Sequence, residues 1–415
     1  MQMLNAGQKT KRIPAGRIPV DWEAINLGDY LKEISVRNAP VNPDLPVLSV
    51  TNTQGFVTSE SYFDRKVYSK DLSNYKIVSK EQFSYNPSRI NVGSIAQLKN
   101  FDQGCLSPMY VVFEAQKGLD ADYLAYWIQS GRFKNLINAN TQGTVRDSVN
   151  FSALAGFPFA LPPVNEQKKI TRILSCIDDV INKTQSVIEQ TQRLKKALMQ
   201  ELFTRGLPGR HKKFKKTKIG EIPEGWEVKS FRECVSISEG QRDPKQEPYR
   251  NWILIAPDHI ESSSGRLIEK RRALDQNAIS GKYEFSPGDV IYSKIRPYLR
   301  KAVLADFKGL CSADMYPLRP KEFVTSEFLL WVMLGDRFSK YAESVSSRTG
   351  IPKINRKELA DFQIAVPSIN EQNKITEAIN SLVRWADIEM LCFGQIKFLK
   401  SALMQVLLTG EARVK

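Results

Sequence analysis

The chain has 415 residues, 42% of them hydrophobic, enough for two or more cores and too many for a disordered polymer. Its 60 lysines and arginines against 45 acidic residues give a formal net charge of +15, which favours an anionic partner, either nucleic acid or an acidic membrane surface. Five scattered cysteines with no C-x-x-C pair, and two histidines, leave little material for a disulfide framework, a structural zinc site or a Ser-His centre.

The opening "MQMLNAGQKTKRIPAG" lacks the apolar core of a secretory signal, and no apolar run of membrane-span length stands out, so a reducing cytoplasmic setting without a membrane is expected. "GRIPVDWE" (Gly16 to Glu23) then leads into a long mixed stretch. Within it "LPVLSV" and "YVVFEA" predict strands, and "ADYLAYWIQSGRFKNLI" predicts helix with its aromatics turned to a core. Polar and basic residues collect in the intervening loops "TNTQG", "YNPSR" and "TQGTVR". These supply Asn52, Thr53, Gln54, Arg89, Thr144 and Arg146 as candidate DNA contacts. Asn, Gln and Arg can bridge a base edge with two hydrogen bonds, whereas Ser, Thr and Lys suit phosphates.

"LPPVNEQKKI" follows, with Asn165 as a predicted helix N-cap and no Pro or Gly until Gly206. Ile170, Leu174, Ile177, Ile181, Thr184, Ile188, Thr191, Leu194 and Leu198 recur at steps of three and four, a coiled-coil seam. A helix from Ile170 to Phe203 would run about 50 Å at about 1.5 Å per residue. The basic linker "RGLPGRHKKFKKTKIG" (Arg205 to Gly220) comes next. A second mixed stretch has strand candidates "NWILIAP" and "EFSPGDVIYSKIRP" and the helical "SEFLLWVMLGDRFSKYA". Its loops supply Arg271, Arg272, Lys294, Arg296, Arg348 and Lys353. "VPSINEQNKI", with Asn370 as N-cap, opens a second helical tail with Ile375, Ile379, Leu382, Ala386, Phe393, Ile396, Leu399 and Leu403 on the matching face.

The chain is one unit written twice. Asn165 returns as Asn370 (370 − 165 = 205), and "KKALMQELFT" returns as "KSALMQVLLT" at the same offset. The ends of the units agree while their middles, near 29–157 and 232–362, differ. The expected fold is a pair of α/β (α+β) reading domains joined by two long helices packed as an antiparallel coiled coil, with a pseudo-two-fold internal repeat. The expected divisions are 1–157, first reader with its entry segment; 158–205, central helical spacer; 206–231, linker and second entry segment; 232–362, second reader; and 363–415, C-terminal helical spacer. No catalytic constellation emerges: there is no P-loop and no Asn-Pro-Pro-Tyr signature, and Pro257-Asp258 with Glu269-Lys270 lacks the spacing of a nuclease site.

The ordered double set of "IPVDWE" and "IPEGWE", "YNPSRINVGSIA" with "LSPMYVVF", "GTVRDSVNF" before "LPPVNEQKKI", and the two "ALMQ" tails resembles the DNA-specificity subunit of type I restriction–modification systems. The resemblance covers essentially the whole chain. It implies two target-recognition domains, each reading half of a split site in double-stranded DNA. It further implies helical spacers that dock two methyltransferase (modification) subunits, with translocase-nuclease (restriction) subunits joining the assembly. S-adenosylmethionine, ATP and Mg would then belong to those partners, with no cofactor, metal or catalytic residue in this chain. Two other readings are a self-contained DNA-modifying enzyme with the same module and a nucleic-acid-binding scaffold outside restriction.

Overall fold

The structure, a computed structural model, describes residues 2–3, 9–13, 16–63, 65, 68–141, 148–346 and 350–414. The chain divides into two compact units, Met1–Gln185 with Leu391–Lys415, and Ser186–Met390.

The first unit is built on a four-stranded antiparallel sheet of β1 (Leu31–Ile34), β2 (Phe83–Tyr85), β3 (Ile95–Gln97) and β4 (Val111–Ala115), in the order β3-β2-β4-β1. Helices α1 (Ala121–Ile128) and α2 (Gly131–Thr141) follow. The predicted single helix is thus two, parted at Ser130, but its aromatics do face inward. Tyr123, Trp127 and Phe133 are buried with Phe83, Tyr85 and Phe113. Long helix α3 (Val164–Thr204) then begins.

The second unit repeats this plan. Strands β5 (Val235–Ile237), β6 (Val290–Ser293), β7 (Ala302–Leu304) and β8 (Met315–Pro320) form an antiparallel sheet in the order β7-β6-β8-β5. Helices α4 (Ser326–Leu334) and α5 (Asp336–Ser346) follow, and Phe328, Trp331 and Phe338 lie in the core with Trp226 and Phe362. The second long helix is α6 (Ile369–Leu408). So two middles that share little wording fold to one topology.

The long helices run antiparallel, as the repeat predicts. In the first unit Ile170 and Leu174 of α3 share a core with Met404, Leu407 and Leu408 of α6. In the second, Leu202 of α3 packs with Ile375 and Ile379 of α6. Each helix ends two residues before a left-handed glycine, Gly206 at φ 76° after the first and Gly410 at φ 75° after the second.

Three sequence expectations change here. The helices begin at Val164 and Ile369, so Asn165 and Asn370 are exposed first-turn residues and not caps; the Pro163 and Ser368 carbonyls accept the first helical N–H bonds instead. Leu194 and Leu399 leave the seam, 53% and 50% exposed, and the next residue turns inward in both copies. Lys195 Nζ lies 5.2 Å over the Trp331 ring and Lys400 Nζ 5.4 Å over Tyr126, with Lys400 also 2.6 Å from Asp178. Finally, α6 holds an 18-residue window of mean hydropathy 1.3, long and apolar enough by length and composition to cross a membrane, contrary to the expectation that no run reaches that size. Trp385, Ile388, Met390 and Leu391 on this helix are exposed.

Candidate nucleic-acid interface

In the first unit, Asn52, Thr53 and Gln54 form the exposed turn of the hairpin Leu48–Thr51/Gly55–Thr58. Thr51 shapes that turn: its Oγ1 accepts from the Gln54 N–H at 3.0 Å and donates to the Gly55 carbonyl at 3.2 Å. Arg89 stands on the loop from β2 to β3, immediately before the 3-10 turn Ile90–Val92. A buried hydroxyl ties loop to hairpin, Ser94 Oγ donating to the Val50 carbonyl at 2.7 Å. Gly93 supplies the left-handed φ of 90° that the loop needs, while a Cβ there would meet Asn52 Cβ at an ordinary 3.7 Å. Asn52 and Arg89 therefore line one cleft of about 750 Å³, together with Asn86, Ser88 and Met109. The sequence reading passed over those last three. The Asn and Ser stand in the quoted "YNPSR", but an exposed methionine carries no signal in one sequence.

In the second unit, Lys294, Arg296 and Lys353 come together. Ile295 bridges Lys353 backbone to backbone, the Arg296 N–H donates to the Pro352 carbonyl at 2.7 Å, and the Ile354 N–H donates to the Lys294 carbonyl at 2.9 Å. Lys294 Nζ rests 5.1 Å over the Tyr316 ring, whereas Arg296 is exposed beside Tyr298, 54% exposed, which was not predicted. Arg271 and Arg272 lie on another loop and turn to its own carboxylates, Glu269 at 2.5 Å and Asp275 at 3.1 Å. The hydrogen bond that Arg272 donates to Asp275 holds its guanidinium above its ordinary range. Thr144, Arg146 and Arg348 lie outside the described residues.

Arg300 anchors the Arg296 loop. It ion-pairs with Asp336 and donates from Nε to Ser339 Oγ at 2.9 Å. Burial raises the Asp336 carboxyl, but the Arg300 and Lys196 cations outweigh this and hold it below the usual carboxylate range.

The twice-written phrase has one structural meaning. Glu166 Oε2 accepts from Trp22 Nε1 at 3.0 Å, and Glu371 Oε2 accepts from Trp226 Nε1 at 3.2 Å. Gln167 accepts from the Asp120 N–H and donates to the Gly118 and Pro162 carbonyls; Gln372 does the same with Thr325, Phe323 and Pro367. Each Glu-Gln pair thus ties an entry tryptophan and a loop of its unit to the start of a long helix.

A family model described as "Type I restriction modification DNA specificity domain" matches residues 19–190 and again 223–390. The chain belongs to that family. It is a DNA-specificity subunit. Its relatives include the type I restriction enzyme EcoDI specificity subunit of Escherichia coli, 27% identical over 398 residues, spanning 90% of this chain and 84% of that one. Another is the MjaVIII specificity subunit of Methanocaldococcus jannaschii, 28% identical over 417 residues and spanning 96% and 95%. Among solved structures, the subunit resembles a chain from a type I R-M system studied for complex assembly and conformational transition (TM-score 0.60, 16% identity, 95% and 99% covered). It also resembles the HsdS subunit of Thermoanaerobacter tengcongensis (TM-score 0.51, 17% identity, 95% and 98% covered). At those identities the two structures speak to the fold, which the specificity subunit shares along nearly its whole length.

Proposed function

We propose that this specificity subunit reads a split, asymmetric duplex site, one half per target-recognition domain, and leaves the chemistry to partner subunits. The observation that carries this reading is a single loop-bearing sheet built twice with different exposed side chains: Asn52, Ser88 and Met109 in one copy, Tyr298 and Lys353 in the other. Equal scaffolds with unequal edges suit unequal half-sites. Half-site centres about one helical turn apart, roughly 10 bp, suit a two-fold reader. The net charge of +15 suits the phosphates.

The long helices serve as spacer and as dock for two methyltransferase subunits, with translocase-nuclease subunits joining through them. Exposed Trp385, Ile388, Met390 and Phe398 on α6 are apolar surface of the kind a partner covers. S-adenosylmethionine, ATP and Mg are assigned to those partners. Exchange of residues 29–157 for the corresponding stretch of another specificity subunit tests the reading. Sequencing of methylated bases should find one half-site replaced and the other kept; a change in both would contradict one domain per half-site.

A further inference from the structure

The loops that leave β2 and β6 are the same object. Tyr85 pairs with Ile95 across β2 and β3, and Tyr292 pairs with Ala302 across β6 and β7, ten residues on in each case. Each loop carries a 3-10 turn, Ile90–Val92 or Pro297–Leu299, and closes on a left-handed residue, Gly93 at φ 90° or Arg300 at φ 47°. Arg89 and Arg296 therefore occupy one position, four residues past the tyrosine. The offset is 207 (296 − 89), so the 205 of the flanking repeat would wrongly pair Arg89 with Lys294.

Both arginines are exposed, and neither side chain has a protein partner among the described residues. Arg296 stands apart in its own stretch of the chain. Every other described arginine from Arg242 to Arg356 is held by a carboxylate or a carbonyl. Yet the backbones beneath the two free guanidinium groups are fixed. The Arg89 carbonyl accepts from the Val92 and Ser94 N–H groups. Arg296, itself left-handed at φ 48°, donates to the Pro352 carbonyl and accepts from the Leu299 N–H. An unpaired planar fork on a rigid loop is suited to guanine O6 and N7 in the major groove.

We infer that Arg89 and Arg296 are equivalent guanine readers, each at the corresponding base pair of its own half-site, so that two otherwise dissimilar half-sites share a G·C pair at a matched position. The inference rests on the split-site reading above. The test uses the complex with its cognate methyltransferase subunits on a random-sequence DNA library, with methylated positions sequenced. Wild type should give a split motif with a G·C pair in each half. Arg89→Gln should make one such pair degenerate, with discrimination there falling by about tenfold or more, and leave the rest of the motif unchanged; Arg296→Gln should do this in the other half. Arg89→Lys and Arg296→Lys should relax the same positions, because an ammonium keeps the charge but not the fork. An unchanged motif with uniformly weaker methylation, restored by lysine, would make both arginines phosphate clamps and overturn the inference. A wild-type complex that methylates no split motif would instead remove the reading beneath it.

Discussion

Arg413 carries the densest polar cluster of the first unit. Its guanidinium donates to Glu166 at 2.7 and 2.8 Å and to Asp21 at 2.9 and 2.7 Å, while Trp22 donates to the same Glu166. The hydrogen bond to Glu166, opposed by burial, holds the Arg413 cation above its ordinary range. In the second unit the equivalent Glu371 takes His211 at 2.6 Å and Arg210 at 3.6 Å from the linker. Removing Arg413 would strand a carboxylate that is 5% exposed, so Arg413→Ala should destabilise the first unit by about 3 kcal/mol, read as a lower urea midpoint. Unchanged stability would show the pair to be incidental. The opposite sign is expected at the strand-end tyrosines. Tyr85 and Tyr292 hydroxyls are buried without a hydrogen-bond partner among the described residues, and burial raises both above the ordinary phenol range. Tyr85→Phe and Tyr292→Phe should therefore be neutral or stabilising by up to about 1 kcal/mol; a clear loss of stability would mean that each hydroxyl has a partner in solution. None of this was legible in the sequence. Glu166 and Arg413 are 247 residues apart. The Asn-Glu-Gln phrase was read as a capping signal, whereas its Glu and Gln are core residues that happen to start a helix.

At the scale of elements, the seams, the antiparallel pairing and the aromatic inner faces of the reader helices were legible, because apolar periodicity reports burial directly. Two features were not. The turn-in of Lys195 and Lys400 follows from an aromatic ring on a neighbouring helix, which no pattern along α3 or α6 reveals. The kinship of the two reading loops was hidden by the two-residue shift and by glycine in one copy standing where arginine stands in the other. The backbone needs a left-handed residue there; the second copy uses Arg300 and recovers the cost through Asp336 and Ser339. The long helices carry their own prediction. At 41 and 40 residues they extend about 60 Å. Matched four-residue insertions in α3 and α6 add about 6 Å and should lengthen the spacer by roughly two base pairs, leaving both half-sites intact. Sequencing of methylated DNA reads this out, and an unchanged spacer would count against helices that set the distance.

For the whole molecule, the doubled plan would let one chain address two different sequences with one architecture, as the split-site reading requires. The invariant parts of the plan, the Trp–Glu–Gln brackets and the sheet order, fix the backbone. The residues that differ between copies sit on loop edges, where a substitution changes contacts without a core to repack. Sequence reasoning found the plan from its repeated ends and placed the candidate contacts on loops, but it had no means of separating Arg296, unpaired, from Arg271 and Arg272, engaged with their own carboxylates. The central claim is that this chain supplies the sequence specificity of a partner methyltransferase. The most direct measurement is to express the cognate methyltransferase subunits with and without this chain and sequence the modified bases in the host DNA. The account predicts a split, non-palindromic motif methylated only when the chain is present. Methylation at the same sites without it, or at an unsplit site with it, would contradict the account.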